Sequence, residues 1–450
     1  MRLGTALATV AAGERPPSFD VFRETLDPAW IAAALRATGK ATIRRRKLPA
    51  ERVLWLVIGM ALFRDRSIQE VVRHLDLVLP TAHGRGRASG SAVAQARSRL
   101  GPEPLAALFT QTAALWGPAA ADAERWRGLA VFGIDGTTLR VPDTAANEAE
   151  FGRAPARAQG TSGYPVLRLV ALMVLRRHLL TALNLGPYQR GERVLAEPLW
   201  AALPERSLVI VDRGLASYAM FQRVGDPAAQ RHWLTRAKEG RRAPQARVVR
   251  RLGPDDAIVV FRPGDKVRRR CRAIPPRVEV RAIRYQRRGF PPQTLLTSLL
   301  DPVAYPAAEV IALYHERWEL ELGFDELKTH TLEREETLRS TTPARITQEV
   351  WGLALGYNLV RLAMARVAQT AGVAPTRISY RHALQLIRVF WLTAWLTSPG
   401  VLPRRLDALD AELALLILPA RRVRGYPRKV KLKMSTYVRK HPTPRERPLK

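Results

Sequence analysis

The sequence predicts an α/β protein: a strand-and-helix unit carrying a β-rich insertion, preceded by a helical domain and followed by a helical, basic region. Three observations point to this. Apolar runs at 129–141 (LAVFGIDGTTLRV) and 208–214 (LVIVDRG) read as buried strands. Short β-like runs between Gly, Pro and Arg clusters fill 230–305, with no long amphipathic helix among them. Dense helical spacing occupies 18–115 and again 348–397.

Taken in order, Pro49 stands where a first helical turn tolerates proline, ahead of ERVLWLVIGMALF. Ser67 and Glu70 form a capping box that opens a second helix, IQEVVRHLDLVL. A basic, Gly-containing linker, HGRGRASG, leads to a third helix beginning near Ser91. Short helices around a basic turn suit DNA contact, with Arg97 and Arg99 as the residues facing it. A plain helical bundle with solvated arginines is the competing reading. The uncharged run 104–121 is expected to break at Gly117-Pro118 into a helix and a loop. The first strand run is expected to break at Asp135-Gly136. RLVALMVLRRHLLTALNLGP reads as a strand pair turning at Arg176, Arg177 and His178. These limits give a helical N-terminal DNA-binding domain (1–120), a first part of the α/β unit (128–215), the β-rich insertion (216–305), a second part of that unit (306–370) and a helical C-terminal region with a basic tail (371–450).

Charge narrows the partners. Lys and Arg number 73 against 40 Asp and Glu, a formal net charge of +33 over 450 residues. Such a field favours polyanions, above all nucleic acid. A GC-rich genome accounts for part of the arginine count but not for the excess over acids. The tail, with Arg421, Arg422, Arg424, Arg428, Lys429, Lys431 and Lys433, suits phosphate contact without base reading and is expected to be extended or disordered. One cysteine, Cys271, excludes an internal disulfide and a cysteine-rich zinc site. The opening apolar run is too short and too rich in Ala and Thr for a signal peptide, and no stretch reads as a membrane span. The expectation is a soluble cytoplasmic protein.

The stretch 314–328, YHERWELELGFDELK, is the most informative. At about 100° per residue, Tyr314, Arg317, Glu321 and Lys328 fall at roughly 0°, −60°, −20° and −40°, one narrow helical stripe. A phenol, two cations and a carboxylate make a poor core face. They suit a divalent metal held beside phosphate. Partner carboxylates must come from other elements, and Asp135 and Asp212, each at the end of an apolar run, are the candidates: acids at neighbouring strand ends of an α/β sheet converge on one crevice. Two divalent ions about 3.5–4 Å apart, held by such acids, would activate water or a 3′-hydroxyl and stabilise the leaving oxygen. Hard Mg²⁺ prefers these oxygen ligands, with Mn²⁺ a substitute.

These residues resemble the DDE transposases of the insertion-sequence-four family. Tyr314, Arg317, Glu321 and Lys328 match that family's signature at every spacing, supported by Asp135 in IDGTT, Asp212 in VDRG and the helix SAVAQARSRLG. The resemblance implies a ribonuclease-H-like catalytic core with a β-rich insertion between the second Asp and the Glu. It also implies that Asp135, Asp212 and Glu321 bind two Mg²⁺ ions. Arg317 and Lys328 would hold DNA phosphates, and Tyr314 would do the same or orient the helix. The implied activity is a DNA transposase that cleaves element ends and joins their 3′-hydroxyls to target DNA, as a homodimer in the synaptic complex. A stand-alone nuclease and a domesticated, non-catalytic DNA-binding protein are the alternatives.

Some assignments have rivals. Asp325, near +20° on the same wheel, competes with Glu321, whereas Glu316 and Glu319, near roughly 200° and 140°, point away and are expected to be solvated or paired. Trp318 either stacks on an unpaired base or fills the core, the plainer reading, and Trp233 has the same two readings.

Overall fold

The computed structural model describes residues 26–41, 48–75, 77–78, 88–155, 161–238, 246–272, 274–333, 337–394 and 401–419. The basic tail beyond 419 lies outside them. Among the described residues five helices come first: α1 (Pro28–Ala37), α2 (Ala50–Leu62), α3 (Ile68–His74), α4 (Gly90–Leu100) and α5 (Glu103–Asp122). Each short one starts on a side-chain cap. The Asp27 carboxylate accepts from Ala29 N, Ser89 Oγ accepts from Ala92 N, and Ser67 and Glu70 make the expected reciprocal box. The helix α5 does not break at Gly117-Pro118. It runs through Pro118, which stands in its last turns.

Ten strands follow: β1 (Ala130–Arg140), β2 (Arg153–Pro155), β3 (Thr161–Val174), β4 (Leu179–Pro187), β5 (Ser207–Val211), β6 (Arg231–Arg236), β7 (Ala246–Gly253), β8 (Asp256–Phe261), β9 (Val278–Tyr285) and β10 (Gln293–Thr297). Four short helices punctuate them: α6 (Ala145–Phe151), α7 (Glu192–Ala196), α8 (Tyr218–Val224) and α9 (Asp265–Arg270). The strands β4, β3 and β1 lie side by side and antiparallel, then β5 and β6 run parallel to β1. This five-strand arrangement is the ribonuclease-H-like core. β1 continues unbroken through Asp135-Gly136, because its register with β3 is kept from Phe132 to Arg140.

The β-rich stretch does not make a sheet of its own. Its first strand, β6, pairs in parallel with β5, and β10, β9, β8 and β7 extend the same sheet in antiparallel fashion.

The remaining helices are α10 (Ala307–His315), α11 (Trp318–Asp325), α12 (Pro343–Thr370), α13 (Tyr380–Ala394) and α14 (Leu402–Ala414), with a π-helical segment Glu326–Thr331 directly after α11. The helix α12 is the hub, packing on α2, α5, α13, α14 and β4. At its crossing with α2 a Cβ on Gly352 would lie 2.6 Å from Val57 Cγ1 and 2.8 Å from Val57 O, so the two backbones touch there because residue 352 has no side chain. A buried carboxylate locks the same junction. Glu349 accepts from Arg64 Nη1 at 2.8 Å, from the amides of Arg339 and Ser340 at 3.0 Å, and from Ser340 Oγ at 2.6 Å. Four donors satisfy both oxygens, which is what a buried charge requires. The N-terminal helices thus share one core with α12. No helix among the described residues is long and apolar enough to cross a membrane.

Candidate active site

Two parallel strands place the aspartates. Ile134 of β1 is in register with Val211, the last residue of β5. The next residues, Asp135 and Asp212, therefore stand at the same level on neighbouring strands, which are about 4.8 Å apart in a sheet. Asp135 Oδ1 accepts from Gly136 N at 2.8 Å, and Asp212 Oδ2 from Gly214 N at 3.3 Å. Burial pushes the Asp135 carboxyl up to about 6; the Gly136 amide opposes this, the Glu192 carboxylate adds to it, Arg317 relieves it and Asp212 adds again. Several acids around one partly buried carboxyl form an electrostatic environment that a cation relieves.

Glu192, at the start of α7, was not singled out in the sequence. Its Cγ would lie 2.7 Å from a Cβ on Gly136, so its side chain crosses β1 beside Asp135 where a glycine admits it. It is held by Arg168 Nη1 at 2.6 Å.

The signature stretch is not one uniform helix. Glu316 and Arg317 form a tight junction between α10 and α11, where Arg317 N donates to Tyr314 O, Glu319 N to Glu316 O and Leu320 N to Arg317 O. Such i→i+3 bonds turn faster than 100° per residue, so the angles expected from an ideal wheel do not carry across the junction. Past α11 the chain loosens into the π-helical segment that carries Lys328.

The helix α11 lies flat on the sheet. A Cβ on Gly133 would meet Leu320 atoms at 2.7–2.8 Å, and a Cβ on Gly323 would lie 2.5 Å from Met173 Cε. Arg317 Nη2 donates to Glu321 Oε1 at 2.8 Å. Burial disfavours the Arg317 cation, but Tyr314 and the Glu321 and Asp212 carboxylates outweigh it and raise its pKa. Tyr314 is buried, with Arg317, Arg236 and Asp212 near its phenol. Asp135, Asp212, Tyr314, Arg317 and Glu321 thus form one chain of neighbours.

Asp325 is turned elsewhere, accepting from Thr329 Oγ1 at 2.5 Å with His330 Nε2 at 3.8 Å. Glu316 takes both ends of the Arg176 guanidinium at 2.8 Å, and Glu319 pairs with His178 Nε2 at 2.9 Å, so both acids are paired. Trp318 is 42% exposed, which sets the core reading aside. Trp233 is core, stacked on Phe221 with ring centroids 3.9 Å apart.

Arg97 requires a correction. It is 2% exposed, and its guanidinium donates to Gln348 Oε1 and Ser340 Oγ, each at 2.9 Å. It ties α4 to α12 and does not face DNA. Arg99, on the same helix, is exposed.

Among the described residues no group of three His, Cys, Asp or Glu side chains stands close enough to hold a metal ion. The strand-end pair, with its oxygen donors and the raised Asp135 pKa, suits a hard divalent cation. The third acid, Glu321, is drawn to Arg317.

Residues 16–110 match the family model described as insertion element 4 transposase N-terminal, and residues 126–359 match the transposase DDE domain. The transposase InsG for insertion sequence element IS4 of Escherichia coli (strain K12) is 36% identical over 408 residues, 90% of either chain. The putative transposase InsZ of the same organism is 36% identical over 219 residues, covering 49% of this chain and 72% of its own. A cryo-EM structure of the piggyBac transposase synaptic complex with hairpin DNA aligns at a TM-score of 0.40 and 10% identity, over 89% of this chain and 84% of that one. Neither a stand-alone nuclease nor a non-catalytic binding protein is favoured by the family-model matches and the two Escherichia coli relatives. The chain belongs to the insertion-element-4 family of DDE transposases.

Proposed function

We propose that this transposase binds the ends of its own mobile element, cleaves them by Mg²⁺-dependent phosphodiester hydrolysis and joins the freed 3′-hydroxyls to target DNA. The observation that carries this reading is the position of Asp135 on β1 and of Asp212 just past the end of β5, each one residue beyond the Ile134–Val211 register, with the Arg317–Glu321 pair on the helix packed on β1. Asp135, Asp212 and Glu321 would hold two Mg²⁺ ions, or Mn²⁺ in their place. When bound, these ions supply activation of the attacking hydroxyl and stabilisation of the leaving oxygen.

The chain's own residues do the remaining work. Arg317, once a phosphate competes for it, releases Glu321 and places its fixed charge on the non-bridging oxygens of the scissile phosphate, where negative charge gathers. Lys328 adds a second cation from the π-helical segment. Tyr314, buried beside Arg317, orients that guanidinium and the helix. Trp318 offers an exposed ring to an unpaired base next to the cut, and Arg99 contacts phosphate from α4. The net charge of +33 supplies attraction to DNA without sequence reading. The working form would be a homodimer that brings two ends together on the chromosome in the cytoplasm.

Incubating the full chain with Mg²⁺, a duplex carrying the sequences that flank its gene and a supercoiled target tests the reading. Joined products are expected. Hydrolysed ends without joining would reduce the protein to a nuclease.

A further inference from the structure

A second cluster of charges, fully used within the protein, lies behind the signature helix. His178 occupies the turn between β3 and β4 with a φ of 53°, and it is 1% exposed. Its Nε2 is 2.9 Å from Glu319 Oε2 and its Nδ1 is 3.1 Å from Glu326 Oε2. A neutral imidazole has one N–H, so one carboxylate would then face a lone pair. Both contacts are satisfied only by the imidazolium. Tyr357 Oη donates to the same Glu326 oxygen at 2.9 Å, and Arg361 stands 3.5 Å from the other. Arg361 also donates twice to Arg177 O, at 3.0 and 2.9 Å, pinning the backbone just before His178.

Glu319 and Glu326 are seven residues apart, two turns along one face. Glu321 lies between them in the chain and, two residues from Glu319, points about 160° away from it. The ring therefore grips the back of the helix whose front carries Glu321. The contacts of Leu320 on Gly133 and of Met173 on Gly323 set how close α11 comes to the sheet. To those apolar contacts the bridged carboxylates add a polar tether, at both ends of α11, to the turn that carries His178.

We propose that His178 is a positioning residue: it ties Glu319 and Glu326 to the β3–β4 turn and so fixes the setting of Glu321 against Asp135 and Asp212. This rests on the reading that those three acids act together on divalent metal. Residues that orient metal ligands from behind are commonly worth about tenfold in metal affinity.

The test uses the full chain and Mn²⁺ alone, with binding read by electron paramagnetic resonance and folding by the thermal midpoint. Asparagine tolerates the left-handed backbone, so His178→Asn keeps the turn. His178→Asn and Glu321→Gln should each weaken Mn²⁺ binding about tenfold. The double variant should be no weaker than Glu321→Gln alone, because the two changes remove one contribution. Wild-type affinity in His178→Asn, or losses that multiply in the double variant, overturns the positioning role. Should His178→Asn fail to fold, Glu319→Gln takes its place under the same criteria. Asp135→Asn is the control: full Mn²⁺ binding in that variant would overturn the three-acid reading itself, and with it the role of His178.

Discussion

The Arg317 guanidinium and the Glu321 carboxylate, one helical turn apart, are joined at 2.8 Å, and the same guanidinium lies within electrostatic reach of Asp135 and Asp212. The pair is partly solvated, with side-chain exposures of 23% and 38%. An i,i+4 pair of this kind contributes only about 0.3–0.5 kcal/mol. Its interest lies in the chemistry, since one partner is the proposed metal ligand and the other the proposed phosphate clamp.

Arg317→Ala should therefore leave the thermal midpoint within about 2 °C of the parent. It should slow end cleavage by roughly 10²-fold or more, the usual cost of removing one electrostatic donor from a transition state. Single-turnover cleavage and a gel-shift titration separate the two effects. Equal losses of rate and affinity would make Arg317 a binding residue only.

Gly133→Ala should act on activity through packing. The added methyl would overlap the Leu320 side chain at 2.7–2.8 Å and lift α11 from β1. Overpacking of this size costs about 1–3 kcal/mol. Gly352→Ala meets Val57 side chain and backbone at a comparable distance, but between α2 and α12, away from the acids. At matched loss of stability in urea, Gly133→Ala should lose far more cleavage than Gly352→Ala. Equal activities would mean that the seat of α11 does not set the site.

The His178 cluster predicts a stability profile with two limbs. Burial opposes the Glu326 anion, but Arg361 and His178 hold its pKa at about 2, below the ordinary 4.5. Its contribution is present above pH 4.5 and is lost as pH falls towards 2. For His178, burial disfavours the cation but Glu326 and Glu319 raise its pKa above the ordinary 6.5. That contribution is complete below pH 6.5 and fades as pH rises through the raised value. Thermal midpoints from pH 2 to 9 for the parent and Glu326→Gln should differ most between these limits and converge in strong acid. A constant difference across the acid limb would contradict the assignment.

Binding to DNA should weaken steeply with salt. A contact set neutralising about six to ten phosphates loses about 10³–10⁵ in affinity between 50 and 200 mM salt. Filter-binding isotherms at several salt concentrations measure the slope, and a flat response would contradict the electrostatic reading.

Local signals in the sequence were strong where the physics is local. The Ser67–Glu70 box, the β3–β4 turn at Arg176–His178 and the strand leading to Asp212 follow from short-range rules. Distant partners decided the rest. Arg97 reads as a surface arginine until α12 brings Gln348 and Ser340 to it from more than 240 residues away. The polar Asp135-Gly136 step reads as a strand end, yet β3 on one side keeps it in the ladder. Glu192 carries no signature, and only the glycine after Asp135 hints that something must cross there. Glu319 reads in the sequence only as an acid pointing away from the stripe, because its partner His178 stands 141 residues away.

The central claim is that Asp135, Asp212 and Glu321 act as one metal-dependent set. Single-turnover cleavage of end DNA by Glu321→Gln, alongside its affinity for the same DNA, tests this most directly. The account predicts no detectable cleavage in Mg²⁺ with affinity retained within a fewfold. Cleavage near the parent rate would contradict it and pass the role to another acid of the helix.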